Sequence, residues 1–247
     1  MLVLVVDSST PAVTAALAEL PAGPSWPVDP AAVGDPAAAG VPSGGEVVIR
    51  AERRTVDARA HGELLAPEIE AVLAEVDARP ADLRAIVAGT GPGPFTGLRV
   101  GLVTAATMGQ VLNIPTYGVC SLDAIGRAAA AGQPVLVASD ARRREIYWAV
   151  YDGVGIRLAG PEVGPAEAAV DAARELGAVA AVGEGAHRYA DRIDLPLLAD
   201  PRFPPTLALG ELAVARLRSG ASTEPLTPLY LRRPDAVAAT ARKPVLP

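Results

Sequence analysis

Three groups of residues in this 247-residue chain have the types and spacing that chemistry needs. The first is the run GTGPGPFTGLRVG over residues 89–101, which follows the apolar run Ala85-Ile86-Val87-Ala88 and leads into a helical segment near Thr96. A glycine-rich strand-to-helix turn gathers backbone N–H groups at the positive end of a helix, an arrangement suited to anions and first of all to phosphate. Neither common phosphate signature is complete. A P-loop ends in Gly-Lys-Ser/Thr, and the one lysine of the chain is Lys243. In the dinucleotide pattern counted from Gly91 and Gly93, the sixth position holds Thr96. Two readings stay open, a phosphate cradle and a tight turn stiffened by Pro92 and Pro94. The second group is Asp7 and Asp140, each closing an apolar run and opening a turn, for which turn and cap hydrogen bonding is the ordinary role. The third is histidine. His61 has Leu65 at i+4, where a helical metal site wants a second histidine, and His187 is remote. Packing or capping at a helix start is the expected role of His61.

Elements must position these groups. Leu2 to Val6 is fully apolar and reads as a central strand ending in Asp7; residues 12–20 return as a second strand. Residues 21–45 hold six prolines and five glycines and read as a long flexible hairpin tip, with pairing resumed over residues 46–55. Residues 61–77 form the clearest amphipathic helix, with Leu64, Leu65, Ile69, Val72, Leu73 and Val76 on one face and Glu63, Glu68, Glu70 and Glu75 elsewhere. The plan then repeats: a strand over 134–139 ending in Asp140, a hairpin partner over 144–151, a helix over 165–176, a strand over 178–182 running into Gly183 and Gly185, and a last helix over 207–217. Such duplication implies two similar α/β lobes around a cleft.

The helix after the glycine run is unusual. From Leu98 to Leu112 its one charge is Arg99, and Gly97, Gly101, Ala105 and Gly109 recur every fourth residue along one side. Each glycine costs roughly 1 kcal/mol against alanine. Close approach of another helix is the expected return, with part of the packing surface belonging to another chain. Fifteen residues span only ~22 Å, short of a ~30 Å hydrocarbon core. No membrane span is therefore expected.

Composition narrows the function. Half the residues are hydrophobic, enough for a substantial core. The net charge of −6 gives no bulk attraction to nucleic acid. Cys120 is alone, so neither a disulfide framework nor a cysteine zinc site is expected. Leu2 to Val6 is too short for a signal sequence, and the cytoplasm is the expected location. Arg142, Arg143 and Arg144 form the only dense basic run. It reads as a solvated turn, or as a contact for tRNA phosphate or an acidic partner.

VVDSST, HGELLAPEIE, GPGPFTGLRVG, CSLDAIG, ASDARRREIYWAVY and PLYLR together resemble the TsaB (YeaZ) family over most of the chain. The resemblance implies an α/β fold of duplicated actin-like ATPase (ribonuclease H-like) lobes with mixed sheets flanked by helices. It divides the chain into a lobe over residues 1–115, carrying the flexible insertion 21–45, and a lobe and tail over 116–247. It implies a role in forming N6-threonylcarbamoyladenosine at position 37 of ANN-decoding tRNAs. In that family TsaB is the non-catalytic paralogue of TsaD, which carries the metal and performs the transfer, and the ATPase TsaE joins them. Asp7 and Asp140 stand where actin-like ATPases hold metal-bound water and phosphate, but Asp140-Ala141-Arg142-Arg143 lacks glycine. The catalytic paralogue carries a metal-binding histidine pair that His61 and Leu65 do not supply.

The expected function is thus a subunit that binds and activates a TsaD-like paralogue, with an actin-like ATPase or a metallopeptidase-type enzyme as alternatives. The partner surface is expected at Leu65, Ile69, Val72, Leu98, Gly101, Leu102, Ala105 and Met108. Self-pairing into a homodimer is expected when the chain is alone, and contact with tRNA is expected only through the complex. No catalytic residue, metal ligand or cofactor is expected, and nucleotide binding at the cleft is left open.

Overall fold

The computed structural model describes residues 1–20 and 47–232. The proline-rich segment expected over 21–45 and the strand start expected at Glu46 lie outside the described residues. The two fully apolar runs that end in aspartate become central strands. β1 (Leu2–Asp7) pairs antiparallel with β2 (Ala12–Glu19), which pairs antiparallel with β3 (Val48–Val56). The helix α1 (His61–Glu75) then returns the chain to β4 (Leu83–Gly89), parallel to β1, and α2 (Phe95–Leu112) returns it to β5 (Thr116–Val119), parallel to β4. After α3 (Ser121–Ala129) the pattern begins again with β6 (Val135–Asp140), β7 (Glu145–Tyr151) and β8 (Arg157–Pro165). The helix α4 (Ala166–Glu175) leads to β9 (Ala180–Val182), and α5 (Glu184–Arg188) and α6 (Thr206–Ser219) follow. The sheets run β3-β2-β1-β4-β5 and β8-β7-β6-β9. Each is an antiparallel meander extended by parallel pairing on its first strand, so the expected duplication is present in the topology.

The segments divide between the sheets differently from a cut at residue 115. β5 hydrogen-bonds into the first sheet, and α6 packs on that sheet's second face with Ala208, Leu209, Ala213 and Leu217 against Val3, Val5, Val87 and Tyr117. The first sheet needs a helix layer on both faces because its central strands are apolar on both. α1 and α2 cover the other face, where Leu65, Ile69, Val72, Leu98, Leu102 and Ala105 join one core with Leu4, Val6 and Ile86.

In α1, Glu68 departs from the sequence expectation: it turns inward with His61, Leu65, Ile69 and Val72. Both its carboxylate oxygens are sealed from solvent without a well-aligned hydrogen bond. Burial pushes its carboxyl pKa up, against the opposing influence of the facing Thr55.

In α2 the small-residue stripe has a use inside the chain. An α-helix ordinarily joins the Gly97 carbonyl to the Gly101 amide. Here the Ser8 hydroxyl stands at both, donating to the Gly97 carbonyl at 2.8 Å and accepting from the Gly101 amide at 2.9 Å. A Cβ on Gly101 would lie 2.5 Å from that hydroxyl, and one on Gly97 would lie 3.1 Å from the His61 ring. Within the chain the stripe thus admits the β1–β2 turn and the start of α1, and at Gly109 the Thr116 side chain. The helix ends at Asn113, in the left-handed conformation at φ 53°, with Pro115 beyond it. Replacing Gly101 by alanine is expected to force the Ser8 hydroxyl out of place and to cost about 2–3 kcal/mol, from overpacking and the broken hydrogen bonds. Thermal unfolding should fall by roughly 4–12 °C. Adding Ser8→Ala should recover part of the loss, which a double-mutant cycle reads directly. Ala105→Trp, in the same core, should fail to fold.

Candidate functional site at the strand ends

The carboxyl ends of the parallel strands β1, β4 and β5 lie side by side at one edge of the first sheet, the usual ligand position of an open α/β sheet. Asp7 stands there, at the end of β1. Its Oδ1 accepts from the Ser9 amide at 3.0 Å and the Ser9 hydroxyl at 2.8 Å, and its Oδ2 accepts from the Ser121 hydroxyl at 2.6 Å. Ser121, at the start of α3, in turn accepts from the Gly91 amide at 3.1 Å. Burial pushes the Asp7 carboxyl pKa up, against the hydrogen bonds from Ser121 and Ser9. A Cβ on Gly89 would collide with the Asp7 carboxylate, and one on Gly93 would collide with the Ser9 carbonyl. The glycine loop is therefore packed onto the β1–β2 turn, and its glycines are required by that contact.

His61 packs as expected, its Nε2–H donating to the Thr10 carbonyl at 2.8 Å. Among the described residues no three His, Cys, Asp or Glu side chains come together as a metal-binding group. Cys120 is a poor nucleophile, because burial pushes its thiol up to about 12.

Asp140, the counterpart of Asp7, has different company. Its Oδ1 accepts from the Arg142 amide and the Tyr189 hydroxyl, each at 2.9 Å, and its Oδ2 lies 3.8 Å from the Arg142 Nε and 3.5 Å from the Arg188 Nε. The Asp140 amide donates to Glu184 Oε1 at 2.7 Å. Glu184 is pushed up to about 7 by burial, with the Asp140 charge adding to the rise and the bond from the Asp140 amide opposing it.

A carboxy-terminal strap joins the two turns. Thr223 and Glu224 bond to β5, the Leu229 amide donates to the Thr90 carbonyl at 2.9 Å, and Arg232 donates to the Ala141 carbonyl at 2.8 Å and pairs with Glu145. The backbone from Leu229 to Arg232, extended by the Arg232 side chain, spans from the glycine loop to the β6–β7 turn. Tyr230 stacks on Phe95 with centroids 5.1 Å apart and receives the Arg99 Nε on its hydroxyl at 2.7 Å. A cavity of about 670 Å³ lies elsewhere, at the carboxyl ends of α2 and α6, lined by Gln110, Asn113, Thr116, Ser222 and Glu224. Its one carboxylate, Glu224, is paired with Arg216 at 2.7 Å.

The residues expected at a partner surface are mostly interior. Leu65, Ile69, Val72, Leu98, Leu102 and Ala105 lie in the first lobe's own core, Gly101 lies against Ser8, and Met108 is half-buried beside the same core. The solvent-facing side of α2 is instead Phe95, Thr96, Arg99, Val103, Ala106, Thr107, Gln110 and Val111. Val103 is 61% exposed and Val111 77%. Period-four glycines mark a close approach without saying to what, and Ser8 in the β1–β2 turn is as good a candidate as a second chain. Ser121 and Glu184 carry no signal of their own in the sequence, since each finds its partner from a distant segment.

Residues 54–236 match the family model described as TsaD, tRNA N6-adenosine threonylcarbamoyltransferase. An uncharacterized protein of Mycobacterium tuberculosis is 45% identical over 237 residues, which is 95% of this chain and 93% of that one. The tRNA threonylcarbamoyladenosine biosynthesis protein TsaB of Escherichia coli is 33% identical over 96 residues, 38% of this chain and 42% of that protein. The crystal structure of a Pseudomonas aeruginosa protein with similarity to peptidase YeaZ superposes with a TM-score of 0.68 at 25% identity, covering 94% of this chain and 99% of that one.

Glu184 provides a test of the electrostatics around Asp140. In the unfolded chain it ionises from its ordinary value of 4.5, and in the folded chain only near 7. The folded state therefore loses stability as pH rises between those values, by up to about 3 kcal/mol. Glu184→Gln, which keeps the acceptor for the Asp140 amide, should match the parent in thermal unfolding only below the unfolded-state value, at about pH 3.5, and exceed it at about pH 8. An equal difference at both pH values would contradict this.

Proposed function

The chain belongs to the TsaB (YeaZ) family, with the fold of duplicated actin-like lobes, and from that membership we propose that it is the non-catalytic subunit that binds and activates a TsaD-like paralogue in N6-threonylcarbamoyladenosine formation on tRNA. The observation that carries this reading is the outer face of α2. Eighteen residues long with Arg99 as its one charge, the helix turns Val103, Ala106, Thr107 and Val111 to solvent. A helix face so poor in charge is an interaction surface in search of a cover. The inner stripe supports this surface rather than forming it, because anchoring α2 through Ser8 fixes the angle at which the outer face is presented.

The surroundings of the two aspartates support the same reading from the chemical side. Asp7 has both oxygens engaged by hydroxyls and an amide, and its counterpart Asp140 is occupied by arginines and a tyrosine. Neither carboxylate is left facing a substrate, which disfavours an ATPase or metallopeptidase acting alone. A TsaE-like ATPase completes the assembly, tRNA is reached through it, and the isolated chain covers α2 by pairing with a second copy. No helix among the described residues is long and apolar enough to cross a membrane. The cytoplasm is assigned from the proposed work on tRNA.

The double substitution Val103→Glu, Val111→Glu places charge on the outer face without touching the core. It should leave circular dichroism and thermal unfolding unchanged and abolish both self-pairing and pairing with the paralogue in size-exclusion with light scattering. Undiminished pairing by a folded double variant would rule this surface out.

A further inference from the structure

The β6–β7 turn carries a feature that subunit pairing through α2 does not use. Arg142, Arg143 and Arg144 are consecutive, exposed, and all in the left-handed region, at φ 64°, 55° and 63°. That conformation is costly for residues with a Cβ, and a glycine-containing turn would avoid the cost. The turn is nevertheless closed firmly, the Ala141 amide donating to the Glu145 carbonyl and the Glu145 amide to the Arg142 carbonyl, each at 3.0 Å.

The surroundings concentrate positive charge there. Arg188 of α5 shares the buried Oδ2 of Asp140 with Arg142, and Arg232 of the strap is held against the Ala141 carbonyl. Among the described residues Arg142 and Arg188 meet Asp140 and Arg232 meets Glu145, with the Arg143 and Arg144 side chains exposed on the same turn, in a chain whose net charge is −6. The side chains of Arg142 and Arg188 remain 52% and 56% exposed. Each meets Asp140 through Nε and has further N–H donors on its planar fork. Forks tethered at one edge and open at the other are suited to bidentate contact with phosphate oxygens.

We propose that the β6–β7 turn, with Arg188 beside it, is a docking surface for the phosphodiester backbone of RNA. The choice of RNA as the source of phosphate rests on the function proposed above. Several exposed guanidinium groups on one turn favour a polyanion over a single phosphate, and the contacts are to phosphate, so they carry no base preference. The chain contributes this surface to the assembled complex, offsetting an otherwise acidic subunit.

The test uses the full chain assembled with its TsaD-like paralogue and an ANN-decoding tRNA. Arg143→Glu, Arg144→Glu should raise the apparent Kd for tRNA about ten-fold or more. It should also flatten the dependence on salt, because every phosphate left unneutralised takes about 0.7–0.9 off the log–log slope. Arg143→Gly, Arg144→Gly should weaken tRNA binding in the same direction while raising the Tm, since glycine relieves the left-handed backbone; Arg143→Lys, Arg144→Lys should retain most of the affinity. Assembly itself, followed without RNA by light scattering, should be unchanged in every variant. Unaltered affinity and salt slope in an assembled charge-reversed complex would overturn the surface and leave the subunit role intact. Loss of assembly on charge reversal would overturn it in favour of an acidic protein partner. Failure of the unmodified chain to pair would overturn the subunit role; the same titration at low salt on the chain alone then decides the surface, equal affinity of parent and variant overturning it.

Discussion

The contact on which the rest of the first lobe depends is the seating of α2 on the β1–β2 turn through the Ser8 hydroxyl. A hydroxyl placed at both the Gly97 carbonyl and the Gly101 amide brings a helix backbone against a turn, with only the short Ser8 side chain between them. That approach demands glycine at two positions of the helix and glycine in the loop before it, where Gly93 lies against Ser9. It also holds the turn so that Asp7 is buried, with Ser9 and Ser121 as its partners. The helix cost of the glycines, roughly 1 kcal/mol each, is offset by the packing of Leu98, Leu102 and Ala105 into the core. One consequence reaches the surface: with its inner side committed, α2 can offer a partner only its outer side.

The duplicated topology places two aspartates at equivalent points and gives them opposite surroundings. Asp7 is enclosed by neutral hydroxyls and amides and sits in a packed interior. Asp140 holds Arg142 and Arg188 at the rim, beside a Glu184 that burial pushes up to about 7. The same strand–turn–strand unit therefore builds an internal joint in one lobe and a charged rim in the other. The strap over residues 221–232 ties them, bonding to the glycine loop at Leu229 and to the second turn at Arg232.

Much of the fold is legible in the sequence because local pattern and burial agree. The apolar runs ending in Asp7 and Asp140 are central strands, and the periodicity of α1 locates its inner face apart from Glu68. The pattern points that residue outward because carboxylates seldom face a core unpaired. β8 gives no signal, since Arg157–Pro165 contains two glycines and two prolines and pairs only with β7 at a sheet edge. The last helix is visible, but its place on the first sheet is a long-range fact that its own sequence does not carry. The glycine stripe signals a close approach, and within the chain Gly97 meets the His61 ring, Gly101 meets Ser8 and Gly109 meets Thr116, none of which periodicity names, because it reports a face and not what lies against it.

The division of α2 into a committed inner side and an available outer side is tested most directly by thiol labelling. Single variants Val103→Cys and Ala105→Cys would be compared in the dilute isolated chain and in complex with the paralogue. Cys120 provides the slow background expected of a half-buried thiol pushed up to about 12. The Val103→Cys thiol should react readily in the isolated chain and become protected in the complex, whereas the Ala105→Cys thiol should stay unreactive in both. A reactive Ala105→Cys thiol in the folded isolated chain, shielded only by the paralogue, would contradict the account, as would a Val103→Cys thiol indifferent to complex formation.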